Sequence, residues 1–123
     1  MPIDSKLKNV PAYVTRDQSE IRELIHPSIH GNQAQSLAEA VVKRGQTTRL
    51  HRHQQTEEIY HITCGQGQMT LADKIFDVNT GDSICIPPGS LHCIKNTGSK
   101  DLHLLCMCSP AYSHEDTELL GRE

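Results

Sequence analysis

One stretch limits the fold more than any other: Gly45-Gln-Thr-Thr-Arg-Leu-His51-Arg-His53-Gln-Gln-Thr-Glu57-Glu58-Ile-Tyr60-His61-Ile-Thr-Cys64-Gly65. His51 and His53 stand two apart, so on a strand both imidazoles point to one face. Five residues further, Glu58 opens a second apolar run. A third histidine, His92, lies in Gly81-Asp-Ser-Ile-Cys-Ile-Pro87-Pro-Gly89-Ser-Leu-His92-Cys-Ile-Lys-Asn96. Three neutral imidazoles and one carboxylate make a mixed nitrogen and oxygen donor set for a metal.

The two stretches resemble the paired motifs of the cupin family. The first motif runs Gly, five residues, His-x-His, three or four residues, Glu, six residues, Gly; Gly45, His51, His53, Glu58 and Gly65 fit it without a gap. The second runs Gly, five residues, Pro-x-Gly, two residues, His, three residues, Asn; Gly81, Pro87, Gly89, His92 and Asn96 fit every position. The stretch between them, residues 66–80, is short, as in small single-domain microbial cupins. The resemblance implies an all-β fold, a small antiparallel jelly-roll β-barrel. It also implies one divalent metal held by His51, His53, Glu58 and His92. It implies no single reaction, because one fold hosts many chemistries. The rival reading of the spacing is a polar core lined by histidines that hold nothing.

Elsewhere the chain alternates short apolar runs with turns. Residues 1–12 carry Pro2 and Pro11 and read as an extended arm. Thr15 to Ile25 has a capping candidate and apolar residues at i, i+3 and i+4, which predicts a short helix or turn ending at His26-Pro27. Ser36 to Val42 reads as a strand, and Thr47 to His53 as the next. That register would turn Arg49 towards the histidines, where it could bind a carboxylate or phosphate, or simply stay solvated at the rim. A hairpin is expected over Met69–Ala72 and Ile75–Val78. Ser83–Ile86, Leu91–Asn96 and Leu102–Cys108 read as strands, the last apolar on both faces and so in need of cover on both. Ser113-His-Glu-Asp116 has cap-like spacing before Leu119-Leu120, which predicts a turn or a second short helix. The layout is one domain: an arm and short helix over 1–35, the barrel over 36–110 and a tail over 111–123.

Parity also separates Glu58 from Glu57. Glu58, Tyr60, Ile62 and Cys64 share one strand face; Glu57, Ile59, His61 and Thr63 share the other. The first is more apolar beyond its acid, so it should turn inward. Tyr60 would then enter the pocket beside Glu58, and His61 would face away. His26, His30 and His114 are expected at the surface.

Composition removes several function classes. The formal net charge is -3, which gives no electrostatic case for nucleic acid or an anionic membrane surface. Tyr13, Tyr60, Phe76 and Tyr112 are the whole aromatic set, too few for base-stacking platforms. No apolar run approaches the ~20 residues of a membrane span. The polar start lacks a signal-peptide core. With five cysteines, an odd number, reduced thiols and a cytoplasmic protein are expected. Cys106 and Cys108 share a strand face, either as small buried hydrophobes or as a soft metal site.

The side chains do not name the metal; Fe, Mn, Ni, Co, Cu and Zn all accept this set. The leading functional expectation is a metal-dependent enzyme on a small oxygen-rich molecule. Dioxygenase chemistry comes first, and sugar or keto-acid isomerase, cyclase or lyase chemistry second. Tyr60 and Arg49 are the candidate catalytic residues. The alternative is a non-catalytic ligand-binding or sensor protein. A homodimer is expected, because Leu102–Cys108 and the arm need cover.

Overall fold

The computed structural model describes residues 2–15 and 17–120. Arg16, inside the segment expected as a short helix or turn, and residues 121–123 of the expected tail lie outside them. Among the described residues the architecture is all-β, two antiparallel sheets closed face to face as a jelly roll.

The first sheet has six strands: β1 (Tyr13–Val14), β2 (Glu20–Ile25), β3 (Ser36–Val42), β10 (Leu102–Ser109), β5 (Glu57–Cys64) and β8 (Ser83–Ile86), in that spatial order. The second has five: β11 (Thr117–Leu119), β4 (His51–His53), β9 (His92–Asn96), β6 (Gln66–Leu71) and β7 (Lys74–Asn79). The core lies between the sheets. Ile62, Met69, Ile86, Ile94, Leu102 and Leu104 are almost wholly buried there, each at an alternate position of its strand, as a sheet with one covered face requires.

The long strands follow the expected pattern. In β5, Glu58, Tyr60 and Ile62 are buried and Glu57, Ile59 and Thr63 exposed. In β9, His92, Ile94 and Asn96 are buried and Lys95 is exposed. Strand β10 sits between β3 and β5. Its inner residues Leu102, Leu104, Cys106 and Cys108 are buried, while His103, Leu105 and Met107 on the outer face stay partly exposed.

The two segments expected as a short helix or turn each make a turn followed by a strand. The 15–25 segment makes a turn and then β2, which pairs with β3 through Glu20↔Val41 and Ile21↔Ala40. The helical spacing of Ile21, Leu24 and Ile25 lost to the ladder that β3 offers, a tertiary override of local propensity. The end of the chain forms β11, paired with β4 at Thr117↔His53 and Leu119↔His51. Without it β4 would be an open sheet edge. The Ser113–Asp116 spacing makes a turn, with Asp116 N–H donating to Ser113 O at 3.2 Å. The only helical pieces among the described residues are a 3-10 turn at Leu7–Asn9 and a four-residue α1 (Pro27–His30).

Smaller corrections concern register. The hairpin β6–β7 turns at Ala72-Asp73, since Leu71 pairs with Lys74, one residue earlier than expected. The strand expected over 47–53 is regular only at His51–His53. Thr47 makes one bridge to Lys95, and Thr48 is buried rather than its neighbours. Strand parity therefore cannot be carried back from His51 to Arg49. His26 is half-buried and caps α1: its Nδ1 accepts from Ser28 N–H and its Nε2 lies 2.8 Å from Tyr112 O.

A candidate metal centre between the sheets

The register of β4 against β9 sets His51 directly opposite His92. His53 follows two residues on and shares the inward face. All three are buried, His92 completely. One ring nitrogen from each lies within 4.8 Å of the other two. Glu58 reaches the same place from β5 in the other sheet. Its Oε1 lies 3.1 Å from His53 Nε2 and 3.5 Å from His92 Nε2.

The hydrogen bonds on the far side of each ring fix which nitrogen faces inward. His51 Nδ1 lies 2.8 Å from Arg49 O, and His92 Nδ1 lies 2.9 Å from Ser90 O. A carbonyl only accepts, so both Nδ1 atoms carry the proton. His53 Nδ1 lies 2.9 Å from Thr117 Oγ1. That hydroxyl donates its own proton to Ser113 O at 2.8 Å, so it too accepts from the ring. In the neutral rings all three Nε2 atoms therefore present lone pairs, and they converge beside a carboxylate. Ligating histidines are ordinarily held this way.

Converging lone pairs cannot satisfy one another. Despite the short approaches, Glu58 Oε1 and His92 Nε2 are buried without a hydrogen-bond partner. A buried polar atom left so costs ~1–3 kcal/mol. A cation among these four groups removes the cost, so the residues present fit a divalent metal. They lie on three strands, β4, β5 and β9, drawn from both sheets.

Electrostatics agree. Burial alone pushes the Glu58 carboxyl up, but positive charge on His53 and His92, standing where a metal cation would, outweighs it and holds the carboxyl well below the usual range. Burial, reinforced by the neighbouring His92, pulls His51 down to about 4, so it stays neutral and ready to ligate near pH 7. Glu58 Oε2 accepts the Cys108 thiol at 3.4 Å. Burial and the Glu58 charge push both Cys106 and Cys108 thiols up. They stay protonated, with Cys108 a donor that orients Glu58 rather than a thiolate competing for the metal.

His51, His53 and Glu58 line a cavity of about 50 Å³ as swept by the centre of a water-sized sphere. One water needs about 10–15 Å³ on that measure, so the space admits a few waters or one small molecule. Tyr60 lines it, its ring 5.9 Å from that of His92. Burial, then the Glu58 charge, raises its phenol well above the ordinary value, so it is a proton donor here and not a base. Arg49 is not among the lining residues; Thr48 is. The Arg49 main chain contributes two bonds: its carbonyl holds His51 and its N–H donates to Asp17 O at 2.9 Å.

Three contributors had no place in the motif. Thr117 on β11 orients His53. Asp17, from the turn before β2, lines the cavity with Oδ2 3.8 Å from His51 Nε2. Glu23 on β2 lines it too. The one sequence signal for Asp17 was its spacing to Ser19, which suits an Asx turn as well as a helix cap.

Comparison with known proteins places the chain. An uncharacterized protein of Methanocaldococcus jannaschii is 49% identical over 118 residues, which cover 96% of this chain and 94% of that one. An oxalate-binding protein of Thermotoga maritima is 29% identical over 92 residues, 75% of this chain and 76% of its own. Among solved structures, the polyketide cyclase RemF from Streptomyces resistomycificus superposes with a TM-score of 0.84 at 20% identity. That match covers 100% of this chain and 88% of RemF and speaks for the fold alone. Residues 38–108, more than half of the chain, match the cupin domain model, and the protein belongs to the cupin family.

Proposed function

We propose that this chain is a metal-dependent enzyme acting on a small oxygen-rich molecule, with His51, His53, Glu58 and His92 holding one divalent transition metal. The observation that carries the reading is three inward ring nitrogens close to one another, beside a buried, unpaired Glu58 oxygen, in the wall of a cavity. Four protein donors on a five- or six-coordinate metal leave one or two positions for an exogenous ligand. A metal so held supplies Lewis-acid polarisation, or oxygen activation if it is redox active.

The chain's own groups do the rest. Arg49 O, Ser90 O and Thr117 Oγ1 lock the imidazoles in one tautomer. Cys108 fixes the second oxygen of Glu58. Tyr60, held protonated, offers an O–H to a ligand in the cavity. Ile94 and Leu104 in the lining keep bulk water out.

Dioxygenase chemistry is the leading reaction, and isomerisation, cyclisation or bond cleavage without O₂ is the second. Oxygen uptake by Fe(II)-reconstituted protein, across a panel of diols, β-diketones and keto acids, separates them. Turnover that persists without O₂ and with a redox-inert metal selects the second. The oxalate-binding relative favours one further reading, a binder with no turnover. That protein would show ligand-dependent thermal stabilisation and no product with any metal.

The assembly proposed is a homodimer. On the outer sheet face Met107 pairs with Ile59, and Ile59 with Cys85, leaving an apolar strip across β10, β5 and β8. Sedimentation showing only a 13.7 kDa species at micromolar concentration would overturn it.

A further inference from the structure

Asp17 is the most tightly fixed group of the N-terminal wall. Its turn closes on itself: Thr15 N–H donates to Ser19 O at 2.9 Å and Gln18 N–H to Thr15 O at 3.0 Å. Gln18 takes φ 82, a left-handed conformation uncommon outside glycine. Asp17 Oδ1 accepts both the Ser19 amide at 3.0 Å and the Ser19 hydroxyl at 2.6 Å. Arg49 N–H binds Asp17 O, which staples the turn to the segment that carries His51.

One carboxylate oxygen is thus engaged and the other is aimed. Oδ2 lies 3.8 Å from His51 Nε2, beyond hydrogen-bond range. That nitrogen is the pole His51 turns into the cavity. Glu58 flanks the inward nitrogens of His53 and His92; Asp17 flanks that of His51. The two carboxylates therefore border one cavity with the imidazoles of His51 and His53. Glu23 lines the same cavity, its Oε2 taken by Tyr13 O–H at 3.0 Å and its Oε1 buried without a partner.

We infer that Asp17 determines specificity: its Oδ2 accepts a hydrogen bond from a hydroxyl of the bound molecule. The site therefore takes a hydroxyl-bearing ligand and rejects one that presents a second carboxylate there. This rests on the metal reading above. An ionised carboxylate accepts and never donates. A ligand O–H satisfies it with a charge-assisted bond. A ligand carboxylate meets it with like charge in a half-enclosed cavity, which discriminates strongly. The class of ligand is an α-hydroxy acid, an α-hydroxy ketone or a sugar-like polyol. A dicarboxylate such as the oxalate named for the Thermotoga relative is disfavoured.

The test uses Co(II)-loaded full chain, wild type and Asp17→Asn, with dissociation constants from calorimetry. Glycolate and oxalate share one carboxylate and differ in whether the other end is a hydroxymethyl group or a second carboxylate. Asp17→Asn should bind as much Co(II) as wild type, bind glycolate about tenfold more weakly and bind oxalate about tenfold more tightly. Affinities that move together, or do not move, overturn the inference. Methoxyacetate lacks the O–H, so wild type should bind it about tenfold more weakly than glycolate. Equal affinity in wild type overturns the inference even if the variant does not fold. Failure of wild type to take up Co(II) at all would sink the metal reading itself. Normal uptake with an unchanged glycolate-to-oxalate ratio would sink only the role of Asp17.

Discussion

The two walls of the cavity are built differently. The donor wall comes from β4, β5 and β9, each flanked by partners on both sides. Its functional residues are buried, and its imidazoles are locked from behind by main-chain carbonyls and a hydroxyl. The N-terminal wall comes from β1 and β2 at the edge of the six-stranded sheet. Strand β1 has two exposed residues, and no residue of β2 is fully buried. Short edge strands open at low free energy, whereas central strands open only with the whole fold. The difference suits a division of labour. A metal needs donors held to fractions of an ångström, while a wall that selects the ligand needs only a few anchored groups on elements that tolerate change.

The largest effect should follow from cutting the donor wall. Glu58→Ala should lose most of the bound metal, and Glu57→Ala, exposed on the opposite strand face, should keep it. Metal analysis after desalting reads both. Loss from Glu57→Ala instead would mean that the carboxylate beside the imidazoles is not a donor.

Acid should act on the same wall. Protons compete with a metal for imidazole nitrogen, so metal content should fall as pH drops through the histidine range. In metal-free protein the sign comes from His51, whose folded value is about 4 against about 6.5 in an unfolded chain. Above the unfolded value both states are neutral and stability does not change. Below it the unfolded chain takes up a proton that the folded chain refuses. His51 therefore costs stability progressively as pH falls towards its folded value. Denaturant midpoints of metal-free protein between pH 7 and 4 check this. Full metal occupancy at about pH 4, well below the free imidazole value, would contradict a three-histidine site.

The same contrast explains what the sequence revealed. The donor wall was legible because it is regular: strand alternation holds through β5 and β9, so burial of Glu58, Tyr60 and His92 followed from parity. Between Thr47 and Leu50 the chain leaves the ladder. Parity failed there, and Arg49 gave place to Thr48 in the cavity lining. The N-terminal wall was illegible for a deeper reason. Glu20 to Ile25 becomes strand only because β3 presents a free edge, which no local pattern reports. Thr117 was hidden likewise: its hydroxyl accepts the His53 Nδ1–H hydrogen bond from a strand that exists only by pairing with β4.

A packing change in the second sheet should cost less than losing the metal but more than any cut at the edge. At Gly67 on β6 an added Cβ would lie 2.7 Å from Lys95 O and 3.1 Å from Leu102 Cδ2. Lys95 belongs to β9, which pairs with β6 through Gln68↔Lys95 and Leu71↔His92. The carbonyl cannot retreat without disturbing the strand that holds His92. Gly67→Ala should destabilise the fold by about 2 kcal/mol in denaturant titration, with a loss of metal affinity in parallel. A neutral result would show that β9 shifts freely, and that the donor wall is softer than its burial indicates.

The smallest effect belongs to the edge. Tyr13 O–H donates to Glu23 Oε2 at 3.0 Å, an exposed bond joining β1 to β2. Burial and the Glu23 charge raise the phenol above its ordinary value, so it stays a donor across the range in which the protein would be handled. Tyr13→Phe removes that donor and keeps the ring. Exposed hydrogen bonds of this kind contribute little, so global stability should change by no more than ~0.5 kcal/mol, with metal content unchanged. The local consequence should be larger than the global one. Among the described residues strand β1 pairs only with β2, through Tyr13↔Ile21 and Val14↔Glu20, and loosening it should speed amide hydrogen exchange in β1 and at the start of β2 while leaving β5 and β9 protected. If Tyr13→Phe instead lowers global stability by about 2 kcal/mol or more, at the scale of a core change, the two walls unfold as one unit. The N-terminal strands would then be part of the scaffold rather than an adaptable cover over it.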